Sequence, residues 1–335
     1  LSRVIIFGAT GTLGAYTALA LNECGFNLIA VGHRESDNGF FRDYGIPYYS
    51  VHIENIEDFD RLPSDYTDHV LHFAGSMPAR MATYEPQLYI DSIVTGTYNI
   101  LEYAREHNAS SIVFTHTRAD SNYLMGTKEP IPSDIQRKFP LKGDHSIYTI
   151  CKNAAVDLIE HYYHQYNLRR FVLRCPTIYA YHPDKYFYVD GEKRIIAYRY
   201  MIDRAIEGLP IEVWGDPERE KEVSYVKDFT QLIRACLDSN CQGGIYNAGR
   251  GVGVSLLEQI SGIVKVFSPP SCPSRLVFCP DKPNARQFIH DISKARNELG
   301  YCPKYNYHDL LVDFKKEMES NRFSKLCQHH SLDKC

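Results

Sequence analysis

The chain has 335 residues, of which 44% are apolar and 23% charged, and its formal net charge is -4. That length is enough for two domains at about 150 residues each, and the charge balance excludes partners held by bulk positive charge, nucleic acid and anionic membrane among them. No apolar run approaches the roughly 18 residues of a membrane span, and the chain enters a strand-like run at Val4 with no charged and apolar leader before it, so a cytoplasmic protein is expected.

The first half alternates short β-branched runs with amphipathic stretches, the pattern of a parallel sheet covered by helices on both faces. Strands are predicted at residues 4–7, 28–31, 69–73, 111–115 and 171–174, with helices at 13–23, 88–106 and 148–166. The stretch 118–147 is rich in Pro, Gly, Ser and Lys and reads as a long surface loop. After Cys175 the alternation weakens, and the strand-like runs 211–214, 223–226 and 244–247 are assigned to a smaller second domain. The expected division is 1–175 and 176–322, partly interleaved, followed by a frayed polar tail at 323–335. His329 and His330 are read as part of that solvated tail rather than as a metal site. The ten cysteines form no Cys-x-x-Cys pair, and Cys272 and Cys279 have no histidines at metal spacing, so buried thiols and no metal are expected.

Gly8-Ala9-Thr10-Gly11-Thr12-Leu13-Gly14 follows the first predicted strand and opens the first helix. Gly8 permits the tight turn, Gly11 lets the backbone approach a pyrophosphate, and Gly14 allows close helix–strand packing, while the helix N-terminus faces the anion. Gly8, Thr10, Gly11, Thr12, Leu13 and Gly14 are therefore the expected dinucleotide contacts, and the doubly wound α/β sheet is of the Rossmann type. Tyr148 and Lys152 lie four apart on a predicted helix, so both side chains leave one face. A phenol titrates near 10 and must fall by about 3, or ~4 kcal/mol, to act at neutral pH. A cation at ~4 Å in an effective dielectric of ~20 supplies about that much, so Lys152 together with an oxidised nicotinamide ring can poise Tyr148. At the end of the second strand, His33 and Arg34 stand where NAD-selective folds place an acid. NAD(P) is the expected cofactor, and the guanidinium favours NADP(H).

Glycines recurring every third residue, followed by Tyr148-Thr149-Ile150-Cys151-Lys152, resemble the extended short-chain dehydrogenase/reductases, and in particular the NAD-dependent epimerase/dehydratase family. The resemblance runs to about Arg322. It implies that Thr117, closing the run from Ile112, is the hydroxyl that orients the reacting oxygen, with Thr115 as the fallback. It implies that Phe73, Ala74 and Gly75 lie under the nicotinamide. It also implies that Lys221 and Arg286 grip a substrate diphosphate, although lysine is a point charge where the family has a bidentate arginine. His182 falls where some members carry an acid/base histidine, but their cysteine partner would be Ala119, so His182 is a candidate substrate residue. Arg118 and Ala119 replace the acid pair of the 4,6-dehydratases, which disfavours dehydration. The expectation is a nucleotide-sugar epimerase working through a keto sugar, with a homodimer possible. The alternatives are an NADPH-dependent keto-sugar reductase and a non-catalytic NAD(P)-sensing regulator, the last opposed by the retention of Tyr148 and Lys152.

Overall fold

The computed structural model describes residues 2–127, 129–284 and 286–327. Six strands and four helices of the first half position the site: β1 (Arg3–Phe7), α1 (Thr12–Glu23), β2 (Asn27–Gly32), β3 (Tyr48–Ser50), β4 (His69–His72), α2 (Pro86–Tyr89), α3 (Gly96–Glu106), β5 (Ser111–Thr117), α4 (Asp144–Tyr166) and β6 (Arg169–Cys175). These strands and the later Gly243–Asn247 form one seven-stranded sheet, ordered Gly243–Asn247, β6, β5, β4, β1, β2, β3. Every pairing in it is parallel. Parallel strands buried on both faces read as continuous apolar runs, and side chains alternate between the faces. Ile5, Phe7, Ile29, Val31, Val70, Ile112, Phe114 and Val172 pack with Ile100, Leu101 and Ala104 of α3 and Ala155, Val156 and Ile159 of α4. Val4, Ile6, Leu28, Ala30, Leu71, Val113, Phe171 and Leu173 face the opposite way, onto Ala15 and Leu19 of α1 and Phe229, Leu232 and Ile233 of the helix Val226–Asp238.

Four expectations change. The helix expected over 88–106 is three pieces, because a wider π turn at Ile90–Thr95 separates α2 from α3; such insertions are frequent beside functional sites. The run near 244–247 is an edge strand of the main sheet, not part of a separate one, since it pairs with β6 from Gly243↔Arg170 to Asn247↔Arg174. The stretch 118–147 is not a free surface loop. It opens with a 3-10 helix at Arg118–Leu124, buries Asp120 and Ile131, and bridges Ile131 to His290.

The tail, finally, is not frayed from Phe323: Phe323 and Leu326 are each 1% exposed, because the segment lies against α1 and the chain after β2. His329 and His330 lie outside the described residues. No helix among the described residues is long and apolar enough to cross a membrane. Nine described cysteines are free, and no described cluster of His, Cys, Asp and Glu could hold a metal.

Candidate active site

The site lies at the carboxyl ends of the parallel strands, where the first turn after β1 meets the ends of β2 and β4. The N–H groups of Gly8 and Ala9 both donate to the Val31 carbonyl at 2.9 Å, which locks the glycine turn onto β2. Gly8 has φ +85°, and a Cβ there would lie 2.6 Å from the Ala74 nitrogen; a Cβ on Gly14 would lie 2.2 Å from the Gly8 carbonyl oxygen. Both positions require glycine, for the turn and for helix–strand contact respectively. α1 begins at Thr12 with no side-chain cap and no acidic residue in its first turn, so its N-terminal amides are left for an anion. These features fit a dinucleotide pyrophosphate over Gly11, Thr12 and Leu13. Thr10 is buried behind the turn, and Phe73 and Ala74 abut Gly8, as the contact distances show.

Tyr148 and Lys152 leave one face of α4, and Thr117 ends β5 as the register partner of Cys175 in β6. The structure brings the three together. Thr117 accepts the Ala119 N–H at 3.1 Å, which leaves its own proton to donate, and its hydrogen bond with the Tyr148 phenol pulls that group's pKa down. Burial pushes the phenol up and outweighs it. Lys152 is 5% exposed. Its Nζ donates to the Thr115 carbonyl at 2.9 Å and sits 4.4 Å from the centre of the Phe114 ring, and burial pulls it down to about 8. Thr115 thus serves through its carbonyl, not its hydroxyl. The Cys175 thiol, which sequence reasoning passed over, is close enough to act electrostatically on both Tyr148 and Lys152. Burial pushes it up to about 12 despite Lys152, so it stays neutral.

Beneath the trio, His72 Nε2 lies 2.9 Å from Thr97 Oγ1, whose own proton goes to the Ile93 carbonyl. The imidazole therefore donates through Nε2, and burial holds it neutral. Arg174 is fully buried and grips Asp120 with two nitrogens at 3.0 Å, while His116 Nε2 meets the same carboxylate at 3.0 Å. Burial alone would raise Asp120, but these partners hold it down to about 2.

Lys221 lies on the strand Glu220–Glu222 and bridges Phe288. Arg118 stacks its guanidinium 4.9 Å from the centre of the Phe288 ring. Burial lowers both cations, and each feels a neighbour of like charge: Arg118 feels Arg286, and Lys221 feels Arg118. Among the described residues the Arg118 guanidinium bonds only to the neutral Asn122 Oδ1 at 2.7 Å and, weakly, to the Met125 sulfur. Among the described residues no carboxylate pairs with any of the three. Half-buried positive charge without a counter-ion is costly, which applies to Arg118 and Lys221, and the exposed Arg286 adds to the positive patch beside them. Sequence reasoning found Lys221 and Arg286 but used Arg118 only to argue against dehydration.

Three further candidates sit elsewhere. The Arg34 guanidinium donates to the Leu326 carbonyl, so it is engaged by the protein itself; His33 lies with its ring 6.4 Å from that of His52. His182 accepts the Asp184 N–H at Nδ1, and its Nε2 is 3.6 Å from the Cys327 sulfur. Burial, with Arg80 and Arg34 adding to it, pulls His182 down to about 4, so it is a neutral residue packed under the C-terminal segment.

The chain is 27% identical to a UDP-glucuronate 4-epimerase of Thermodesulfobacterium geofontis, over 81% of this chain and 79% of that protein. It is 25% identical to a dTDP-glucose 4,6-dehydratase of Xanthomonas campestris pv. campestris, over 76% and 74%. Its fold matches that of a UDP-glucuronic acid 4-epimerase from Bacillus cereus, solved with UDP-glucuronic acid and NAD, at a TM-score of 0.70 and 21% identity, covering 94% of this chain and 99% of the other. The model of the NAD dependent epimerase/dehydratase family matches residues 4–249. The chain belongs to the NAD-dependent epimerase/dehydratase family.

Proposed function

We propose that the protein is a nucleotide-sugar epimerase that oxidises a sugar hydroxyl to a ketone and reduces it again from the opposite face. The observation that carries this reading is the convergence of Thr117, Tyr148 and Lys152 at the carboxyl ends of the sheet, with three cations that no carboxylate pairs among the described residues following at Arg118, Lys221 and Arg286. The glycine turn over Gly11, Thr12 and Leu13 would hold a nicotinamide dinucleotide, which when bound would supply the hydride acceptor and donor that the reaction needs. Thr117 donates to the sugar oxygen and orients it, and Tyr148 takes up the hydroxyl proton and gives it back. In the protein alone the phenol stays protonated, and Lys152, turned to the Thr115 carbonyl, is not among the groups that lower it; an oxidised nicotinamide would add the positive charge needed. Lys221, Arg286 and Arg118 hold the diphosphate end. Three cations against two phosphate charges leave room for a further acidic group, so nucleoside-diphosphate uronic acids belong among the substrates tested.

Dehydration is disfavoured by Arg118 and Ala119 where an acid pair would be needed. A reductase uses the same trio, but its main support, an arginine free to meet NADPH, is weakened by the Arg34–Leu326 bond. The reading includes a cytoplasmic setting, in keeping with the free thiols. It also includes a homodimer, for which α2, α3 and α4 offer exposed Leu88, Tyr98, Ile150 and Tyr166. The test is incubation with a panel of nucleotide sugars, with and without added dinucleotide, and identification of the products. An epimer formed without net dinucleotide consumption is the expected result. Stoichiometric consumption of NADPH identifies a reductase, and dinucleotide binding without turnover of any sugar identifies a sensor.

A further inference from the structure

The helix Tyr307–Ser320 ends at Asn321, whose left-handed backbone (φ 45°) turns the chain back toward the sheet. Each of the next residues that could anchor the segment does so. Phe323 lies with its ring 4.5 Å from that of Tyr16 on α1 and 5.8 Å from that of Phe40. The Lys325 carbonyl accepts Asn38 Nδ2 at 2.8 Å, the Lys325 ammonium pairs with Asp43, and the Leu326 carbonyl accepts the Arg34 guanidinium. Cys327 reaches His182, in the chain beyond β6. Arg34 itself is held in place, since Tyr48 donates to its carbonyl at 2.6 Å. It stands two residues beyond the end of β2, the strand whose Val31 carbonyl locks the glycine turn. In a doubly wound fold that is where the second strand meets the ribose 2′ position of a dinucleotide.

We propose that the segment 322–327 is a cofactor-selectivity element: by tying one arm of the Arg34 guanidinium to the Leu326 carbonyl it hinders a two-pronged contact with a 2′-phosphate and makes the protein prefer NAD over NADP. The proposal rests on the reading of the glycine turn as a dinucleotide site. A 2′-phosphate pairs best with a guanidinium through two parallel bonds, and to use the Arg34 nitrogen bonded to Leu326 it must displace the carbonyl oxygen and unseat Leu326, which is 1% exposed. A 2′-hydroxyl makes no such demand. The element therefore stands in for the missing acid at the end of β2: NADP is disfavoured because one arm of its natural partner is held by the segment.

The test measures dissociation constants of NAD⁺ and NADP⁺ by calorimetry on the full chain, on a chain ended after Phe323 so that the buried ring is kept, and on both with Arg34→Met. The full chain should bind NAD⁺ more tightly. Shortening should improve NADP⁺ relative to NAD⁺ by tenfold or more, and Arg34→Met in the shortened chain should cancel that gain. An unchanged ratio on shortening, or a gain that survives Arg34→Met, overturns the proposal. Hydrogen exchange on the full chain gives an independent answer that does not depend on the shortened chain folding: NADP⁺ should raise exchange at the amides of residues 325–327 relative to NAD⁺, and equal exchange overturns the proposal. If neither dinucleotide binds the full chain, the cofactor reading fails and this inference with it. If both bind with a ratio indifferent to the segment, the inference fails alone.

Discussion

At the scale of single residues, the proposed chemistry rests on groups whose protonation is set by burial. Tyr148→Phe removes the proposed proton-transfer group and nothing that touches the glycine turn. Turnover should therefore fall ~100- to 10,000-fold with dinucleotide affinity unchanged, as steady-state rates and calorimetry would show; near-normal turnover would remove Tyr148 from the mechanism. Lys152 gives a prediction about stability. It is pulled down to about 8 from an ordinary 10.5, so between those values the unfolded chain keeps a proton that the folded chain has released. Stability then rises with pH across that window, and the cost of burying the ammonium, ~3 kcal/mol for a difference of about 2.5, is fully present below pH 8 and gone above 10.5. In urea unfolding the gap between wild type and Lys152→Met should close or reverse in favour of wild type between pH 7.5 and 10. A constant gap contradicts a buried, titrating Lys152. For the cation cluster, Arg118→Ala and Arg286→Ala should each weaken an intact nucleotide sugar by ~1.5–3 kcal/mol, the worth of a hydrogen bond to a charged group, and hardly affect the free sugar. Equal losses for both ligands in calorimetry would point to damage of the fold instead.

At the scale of elements, the stretch 118–147 is anchored in part by one buried carboxylate. Asp120 satisfies Arg174 and His116 together, all three buried, and Arg174 also donates to the Ser133 carbonyl at 2.8 Å. Asp120→Ala leaves the guanidinium buried without its partner, which should cost ~3–5 kcal/mol in chemical unfolding. A loss within 1 kcal/mol would mean that the stretch is held by other contacts. This order was not legible in the sequence, because Pro, Gly and Ser report turns but not the ion pair that anchors them. The strands were legible to within a few residues, since β1, β2, β4, β5 and β6 are local apolar runs buried on both faces. The short β3 was not: its three residues are all half-buried and present no apolar run. The π turn inside 88–106 was hidden for a related reason, as an apolar helical pattern does not reveal one inserted wide turn.

At the scale of the whole molecule, the two halves are not separable. The Gly243–Asn247 strand extends the sheet of the first half, and one apolar cluster runs from Val4 and Ile6 to Leu310, Leu311 and Phe314 of the Tyr307–Ser320 helix. Unfolding should accordingly be a single transition. The sole tryptophan, Trp214, lies beyond the first half and provides a local probe. Its fluorescence and the far-UV circular dichroism should melt together in urea, and two separated midpoints would show independent domains.

What the sequence determined by itself is what is written in short stretches. The glycine turn, the Tyr148–Lys152 pair and the parallel sheet each depend on residues within one or two elements, so backbone geometry and side-chain period are enough to read them. What only the tertiary structure decided are the arrangements assembled from distant segments: the cation cluster of Arg118, Lys221 and Arg286, and the bond from Arg34 to the Leu326 carbonyl across 292 positions. The physical reason is that a charged side chain's role is set by the partner it meets. The sequence shows that an arginine follows β2, but only the folded chain shows that its guanidinium is tied to the Leu326 carbonyl.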